Sequence, residues 1–339
     1  MRILLQTALS LEFSAMKAYI SDVKSETHSQ TASKYERGTF SHHGNQAEVL
    51  IVETGAGNVR AADETTRALE YFKPDVAFFV GVAGGLKDVK LGDVVASTKV
   101  IGYEMGKDDD EFRPRLDTIP SAYSLQQIAK QLLRDNTWKE DLPMETRDQV
   151  KAYVEPIAAG DKVVASERAI TFQYLRRFCS DALAVGMEGI GFMVASHAHN
   201  TDAMEIRGIS DMISDKDEAD ASGSQPRAAD NAAAFVFSVI RQKLADTRKR
   251  NDIKDVVFRG KLLNALVEMY SQGPEQDDIW KRAGGDVSIL INSMNRRSQW
   301  YNALERLALG GGGANITLQT LIEQIRIDNP NSQNDLFRD

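Results

Sequence analysis

The run Asp75–Val82, DVAFFVGV, limits the possible folds more than any other stretch. Its apolar residues are consecutive, without the polar alternation of a half-exposed strand, and it ends in Ala83-Gly84-Gly85. A strand that is apolar on both faces needs cover on both, as in a central parallel strand between layers of helices. Arg2–Ala8, Ala47–Glu53 and Leu91–Val100 read as further strands, and Val154–Ala165 returns to the sheet across an interruption at Gly160-Asp161. Helical spacing fills the gaps: Ser10–Tyr19 with Ser10 as its cap, a segment reaching Phe72 and stopped by Pro74, Tyr123–Leu133, Ala169–Phe178, Ile190–His199 and Arg227–Leu244. The fold class is therefore α/β. Ser25–Gly44 reads as a hairpin or loop region, and Asp135–Gln149 as polar surface. Lys107–Arg115 is a charged segment, either a solvated loop or a lid over a phosphorylated ligand.

Leu183–Asp211 carries two candidate carboxylates. Gly186-Met187-Glu188-Gly189 sets an acid beside a thioether, between glycines, just before a helix. Met204–Ile209 reads as a strand ending at Ser210-Asp211. Ligands of α/β sheets collect at the carboxyl ends of strands and at helix starts, so Glu188 and Asp211 are expected to face one crevice. The glycines beside Glu188 leave room for close approach to the backbone. Glu12 falls in the first turn of the first helix, where an acid also simply favours the helix dipole; both readings stay open.

Thr54-Gly55-Ala56-Gly57 leaves N–H groups open at a helix start and can cradle an anion, with Arg60 adding a bidentate phosphate contact. The third glycine of the dinucleotide fingerprint is missing, so no nicotinamide cofactor is expected. Gly81-Val82-Ala83-Gly84-Gly85 is a tight turn or a ligand-lined one. His42-His43 in a polar loop, and His197 and His199 on different faces of a helix, make no expected metal site.

At 339 residues the chain has room for two domains. The net charge of −8 argues against broad nucleic-acid binding. Cys179 is the only cysteine, which excludes an intrachain disulfide and fits a reducing compartment. No secretory leader and no apolar run of roughly 20 residues is present, so a soluble cytoplasmic protein is expected. Ser214–Ser224 reads as a polar loop near the crevice, and Asp246–Lys254 as a linker or a helix extension. From Asp255 onward come helices at Val256–Tyr270, Asp277–Ala283, Val287–Met294, Gln299–Leu309 and Leu318–Asp328, with a flexible connection at Gly310–Gly313. This part has no histidine, no cysteine and no convergent catalytic set, and reads as a protein-interaction module.

Five motifs in order carry a resemblance: Ala8–Glu12, Thr54–Gly57, Gly81–Gly85 with Leu91–Asp93, Val185–Glu188 and Arg207–Asp211. With them, residues 1–245 resemble the nucleoside phosphorylase superfamily, most closely its methylthioadenosine/adenosylhomocysteine nucleosidase branch. The resemblance implies a mixed central sheet flanked by helices, a homodimer, and cleavage of a base–ribose bond without a cofactor. It implies that Asp211 protonates the leaving base and that Glu188 holds the ribose hydroxyls, with Met187 against the sugar. Glu12 would position and deprotonate the attacking water. Val163 and Val164 would flank the base, Val82 and Gly84 would line the site, and Arg207 would orient Asp211 or Glu188. The sequence departs from the nucleosidase pattern at Gly186, where an acid stands, at Val82, where a serine stands, and at Val163, where an aromatic is common. Together with Arg60 and the Lys107–Arg115 segment, these departures favour a 5′-phosphorylated nucleotide.

Residues 255–339 resemble a bacterial effector-associated domain, a small death-domain-like adaptor, through Leu266–Gly273, Trp280–Gly284, Arg297–Trp300 and Asn329-Pro330-Asn331. That implies a protein partner, a linker at 246–254, and a role in bacterial conflict or antiphage defence by depleting a nucleotide pool such as ATP. The expected activity is hydrolysis by an adenine-type nucleoside or nucleotide N-glycosidase. Phosphate-dependent phosphorolysis and a non-catalytic nucleotide-sensing scaffold are the alternatives. A carboxylate at Glu12 favours water because it would repel phosphate, and a pure binder has no need of three acids.

Overall fold

The computed structural model describes residues 1–110, 112–213, 223–250, 256–291, 295–330, 332, 334, 336 and 337. The polar segment at 214–222 therefore lies outside the described residues. The chain divides into two compact units, Met1–Leu244 and Ala245–Asp339.

The first unit contains β1 (Arg2–Thr7), α1 (Ser10–Lys17), β2 (Ser21–Thr27), β3 (Lys34–His42), β4 (Asn45–Glu53), α2 (Asn58–Phe72), β5 (Val76–Gly85) and β6 (Val94–Gly102). There follow β7 (Gly106–Lys107), β8 (Arg113–Pro114), β9 (Asp117–Pro120), α3 (Tyr123–Asp135), α4 (Met144–Arg147), β10 (Ala152–Ala159), α5 (Ile170–Phe178), β11 (Ala184–Gly186), α6 (Gly189–Ala198), β12 (Asp202–Met212) and the greater part of α7 (Ser224–Arg250), whose last residues lie past Leu244. The main sheet has the order β11-β10-β6-β12-β5-β1-β4-β3-β2, with β9 on β6. It is mixed: β1 runs parallel to β4 and β5, and β12 parallel to β5 but antiparallel to β6. Short β11 pairs with β10 on one side and crosses the end of β5 on the other, Val185 opposite Gly84.

The alternation along the central strands explains their unbroken apolar runs. Ile3, Leu5, Val49, Ile51, Val76, Phe78 and Val80 pack into one layer with α7 residues such as Phe235, Val236 and Val239. Leu4, Leu50, Val52, Ala77 and Phe79 pack into the opposite layer against Ala61, Leu69 and Phe72 of α2 and Phe192 of α6. Each face buries its own set, so neither carries a polar period.

Several expectations need correction. Gly81–Gly85 is no turn; it is the last part of β5, and Gly84 and Gly85 pair with Asp211 and Met212. Leu9 rather than Ser10 caps α1, and Ser10 Oγ donates to the Glu53 carboxylate. Asp135–Gln149 is not all surface: Trp138 and Leu142 are buried, and Trp138 meets Phe235 edge-to-face at 5.3 Å. Within the Lys107–Arg115 segment β7 and β8 pair as a small ladder, with Lys107 opposite Arg113 and ion-paired with Asp109 at 2.7 Å. The strand after the Val154 region stops at Ala159, so Val163 and Val164 sit beyond the sheet. Of the two readings of Asp246–Lys254, a linker or a helix extension, residues 246–250 follow the second as the end of α7. Among the described residues no helix is long and apolar enough to cross a membrane.

The second unit holds α8 (Val256–Met269), α9 (Ile279–Arg282), α10 (Arg296–Ala308) and α11 (Leu318–Asp328). Its own core contains Leu262, Leu266, Trp280, Trp300, Leu304, Leu321 and Ile325. Trp280 and Trp300 meet edge-to-face at 6.5 Å, and Trp300 Nε1 donates to the Tyr270 carbonyl at 3.2 Å. The helix expected over Val287–Met294 is one 3-10 turn at Val287–Ile289, and 292–294 lie outside the described residues.

Candidate active site

The end of β5 gathers the acids that the sequence singles out. Glu12 starts α1, directly after β1, and its side chain turns back into the protein. Oε2 accepts from the N–H groups of Ala8 and Leu9 at 2.8 and 2.9 Å. Oε1 reaches across to the N–H of Val82 at 2.7 Å. One carboxylate thus bonds both to the N–H groups that open α1 and to β5. Burial pushes its carboxyl above the usual range, and the Arg207 guanidinium and the three N–H donors offset only part of that.

Arg207 of β12 is the hub. Its Nη2 donates to Glu188 Oε2 at 2.7 Å, its Nη1 to the Val82 carbonyl at 3.1 Å and its Nε to Glu205 Oε1 at 2.7 Å. The guanidinium lies 4.5 Å from the centre of the Phe79 ring and is 1% exposed. Burial opposes its charge, but the carboxylates of Glu205, Glu188 and Glu12 outweigh that and hold it charged. Glycines make the room. A Cβ on Gly81 would stand 2.4 Å from Glu12 Oε1 and 2.8 Å from Arg207 Nη1, and one on Gly186 would stand 3.2 Å from Arg207 Cζ.

Glu188 follows β11 and starts α6. Besides Arg207 it accepts from the N–H of Gly57 at 3.3 Å and of Met187 at 3.3 Å. Asp211 lies four residues past Arg207 on the same strand, opposite Gly84, after a register shift between Ile209 and Asp211. Its Oδ2 accepts from the Ser210 hydroxyl at 2.8 Å, and a Cβ on Gly84 would lie 3.3 Å from Oδ1. Glu12, Glu188 and Arg207 are therefore in one bonded cluster. Asp211 joins it through β5, whose Val82 bonds to Glu12 and Arg207 and whose Gly84 pairs with Asp211.

The other expected residues divide. Met187 is half-buried beside Glu188, and Val82 holds Glu12 and Arg207 with its own peptide groups. Val164 is buried with Val185 and Ile213, whose side chains approach Gly84 together with Asp211. Val163 is 56% exposed. The Gly55 turn departs from expectation. The N–H groups of Gly57 and Asn58 are taken by Glu188 and Asp161, the latter at 2.8 Å, and that of Gly55 by the Ala8 carbonyl. The anion seat is filled by this chain's own carboxylates. Arg60 is exposed, with its guanidinium against Gly55. Lys107 is engaged within its own ladder.

Sequence reasoning missed Asp161 and Glu205. Glu205 and Arg207 stand two apart in an apolar strand, so the period of two was the available signal. Two cavities of about 230 and 220 Å³ lie elsewhere, one beside Pro120, His197 and Asp202, the other beside Leu86, Arg176 and Cys179. Neither is lined by Glu12, Glu188, Arg207 or Asp211.

Residues 2–241 match the phosphorylase superfamily. The chain belongs to the phosphorylase superfamily. A 5′-methylthioadenosine/S-adenosylhomocysteine nucleosidase of Maridesulfovibrio salexigens is 28% identical over 211 residues, 60% of this chain and 87% of that one. The corresponding nucleosidase of Colwellia psychrerythraea 34H, solved with adenine, matches with a TM-score of 0.59 at 24% identity, over 71% of this chain and 95% of that one. A futalosine hydrolase mutant of Helicobacter pylori strain 26695 matches at 0.58 and 19%, over 71% and 99%. At these identities the two structures speak for the phosphorylase-superfamily fold alone.

Proposed function

We propose that the superfamily unit hydrolyses the base–ribose bond of an adenine-type purine nucleoside or nucleotide. The observation that carries this is Glu12: a buried carboxylate, fixed by three N–H groups, in the same cluster as Glu188. A second anion in that position meets repulsion, whereas a water finds an acceptor for its proton. The filled seat at Gly57 and Asn58 argues the same way against phosphate as co-substrate. The nucleosidase of Maridesulfovibrio salexigens supports this choice of reaction.

In the reaction, water attacks C1′ and the C1′–N bond breaks. The bonding pair leaves with the base, whose N7 takes a proton from Asp211. The water's proton passes to Glu12. Glu188 accepts from the ribose hydroxyls with Met187 against the sugar, and the nearby negative charge favours the cationic sugar of the transition state. Val164 and Val163 flank the base, Gly84 lets Asp211 come close to it, and Val82 takes the place of a side-chain contact to the ribose. Arg60, exposed at Gly55, would contact a 5′-phosphate, and with the departures at Gly186, Val82 and Val163 it supports a nucleotide over an alkylthio substrate. No cofactor or metal enters these steps.

The finer reading assigns residues 1–245 to catalysis, 246–254 to a linker and 255–339 to a death-domain-like effector-associated adaptor. Its support is the independent helical core and the four motifs already named. On this reading the enzyme acts as a cytoplasmic homodimer in antiviral defence, recruited by a protein partner to deplete a nucleotide pool.

The test is release of free base from methylthioadenosine, adenosine, AMP and ATP, with and without phosphate. Adenine released without phosphate upholds hydrolysis. Release only with phosphate replaces it by phosphorolysis. Binding without release makes the protein a sensing scaffold.

A further inference from the structure

Glu205 has no part in the reaction above, yet it is the most deeply buried acid of the cluster, 0% exposed. Oε1 accepts from Arg207 Nε, while Oε2 has no hydrogen-bond partner among the described residues. Oε2 occupies the space that a side chain at position 189 would take: an ideal Cβ on Gly189 would lie 2.1 Å from it. Glu12 and Glu188 already surround the same guanidinium, so the cluster sets three buried acids against one base. A further buried carboxylate there weakens the folded state rather than strengthening it. Its contribution has to lie in geometry.

The geometry is specific. Arg207 donates in three directions, and each edge of its planar fork has a different acceptor. Nη2 holds Glu188. Nη1 holds the carbonyl of Val82, the residue whose N–H holds Glu12. With the Nε acceptor removed, the fork is free to turn over Phe79 and present either edge to Glu188. We propose that Glu205 is a positioning residue: through Arg207 Nε it fixes the guanidinium, and through that both Glu188 and the Val82 peptide that orients Glu12. This rests on the proposed roles of Glu12 and Glu188.

The test compares the full-length wild type with Glu205→Gln, which keeps an acceptor for Nε, and Glu205→Leu, which fills the space without one. Base release from adenosine, AMP and ATP and thermal melting are measured on all three. Glu205→Leu is expected to lose about 100-fold in kcat, the effect of a misplaced catalytic group, with KM within about threefold. Glu205→Gln should stay within about tenfold of wild type. It should melt at or above the wild-type temperature, and Glu205→Leu within about 4 °C of it. Wild-type kcat in Glu205→Leu overturns the proposal. So does loss of turnover that merely follows a fall in melting temperature, and so does a Glu205→Gln as impaired as Glu205→Leu, since charge and not position would then be at issue. If the wild type releases no base, the reaction reading fails and crystal structures of the two variants decide. Displacement of Arg207 in Glu205→Leu alone upholds the positioning role, and retention on Glu188 and Val82 overturns it.

Discussion

Gly81→Ala is the smallest change that tests whether the acid cluster is rigid. The added methyl would stand 2.4 Å from Glu12 Oε1, 2.7 Å from Glu12 Cδ and 2.8 Å from Arg207 Nη1. Neither neighbour yields easily. Glu12 is pinned by Ala8, Leu9 and Val82, and Arg207 by Glu205, Glu188 and the Val82 carbonyl. An ordinary carbon contact lies near 3.5 Å, so Glu12 has to move by about 1 Å. Overpacking of this kind costs about 1–3 kcal/mol. For a unit of this size that lowers the melting temperature by about 2–4 °C per kcal/mol. A displacement of about 1 Å at a reacting group costs about 100-fold in rate. The assay is base release at saturating substrate, beside a melting curve. Gly260→Ala serves as the control, since a Cβ there meets nothing within 4 Å. Full turnover in Gly81→Ala with an unchanged melting temperature would refute the claim that Glu12 and Arg207 form a fixed constellation.

Asp211→Asn should lower kcat by about 100- to 10,000-fold, the usual worth of a general acid, while calorimetry shows adenosine still bound; unchanged turnover removes Asp211 from the reaction. Burial, opposed by Arg207 and reinforced by Glu188, raises the Glu205 carboxyl above its ordinary 4.5. That carboxyl therefore favours the folded state below its ordinary value, and the contribution is lost as pH rises through the higher folded one. The melting temperature of Glu205→Gln relative to wild type should accordingly climb from pH 4 toward neutrality, and a difference independent of pH would contradict the raised value. Gly260→Ala should itself stabilise the helical unit by about 0.5–1 kcal/mol, because it lies inside α8 with open space around it; urea denaturation reads the gain.

What could be read from the chain, and what could not, follows from the range of the interactions. The central strands declared themselves because Leu4 and Leu5, or Ala77 and Phe78, point into opposite layers that are both apolar. Glu188 and Asp211 stood out because strand ends and helix starts are local features. The Gly55 turn was legible as an anion seat, but its occupants come from 103 and 131 residues away, and no local pattern announces Asp161 or Glu188 as its ligand. Trp138 was hidden in a polar segment because a single buried aromatic has no period. Glu205 was hidden in an apolar strand because a carboxylate there looks like an exception until its partner two residues on is seen folded back on it.

Gly189 and Glu205 also bear on how the family can vary. With a Cβ on position 189 only 2.1 Å from the Glu205 carboxylate, the two positions share one volume. An alanine at 189 would push the glutamate at 205 out of its present position, so this placement of Glu205 goes with glycine at 189. The two sites, 16 residues apart in the chain, are thus coupled through one shared volume. A methyl group on the neighbouring helix and the acidic partner of the arginine should accordingly replace one another rather than occur together.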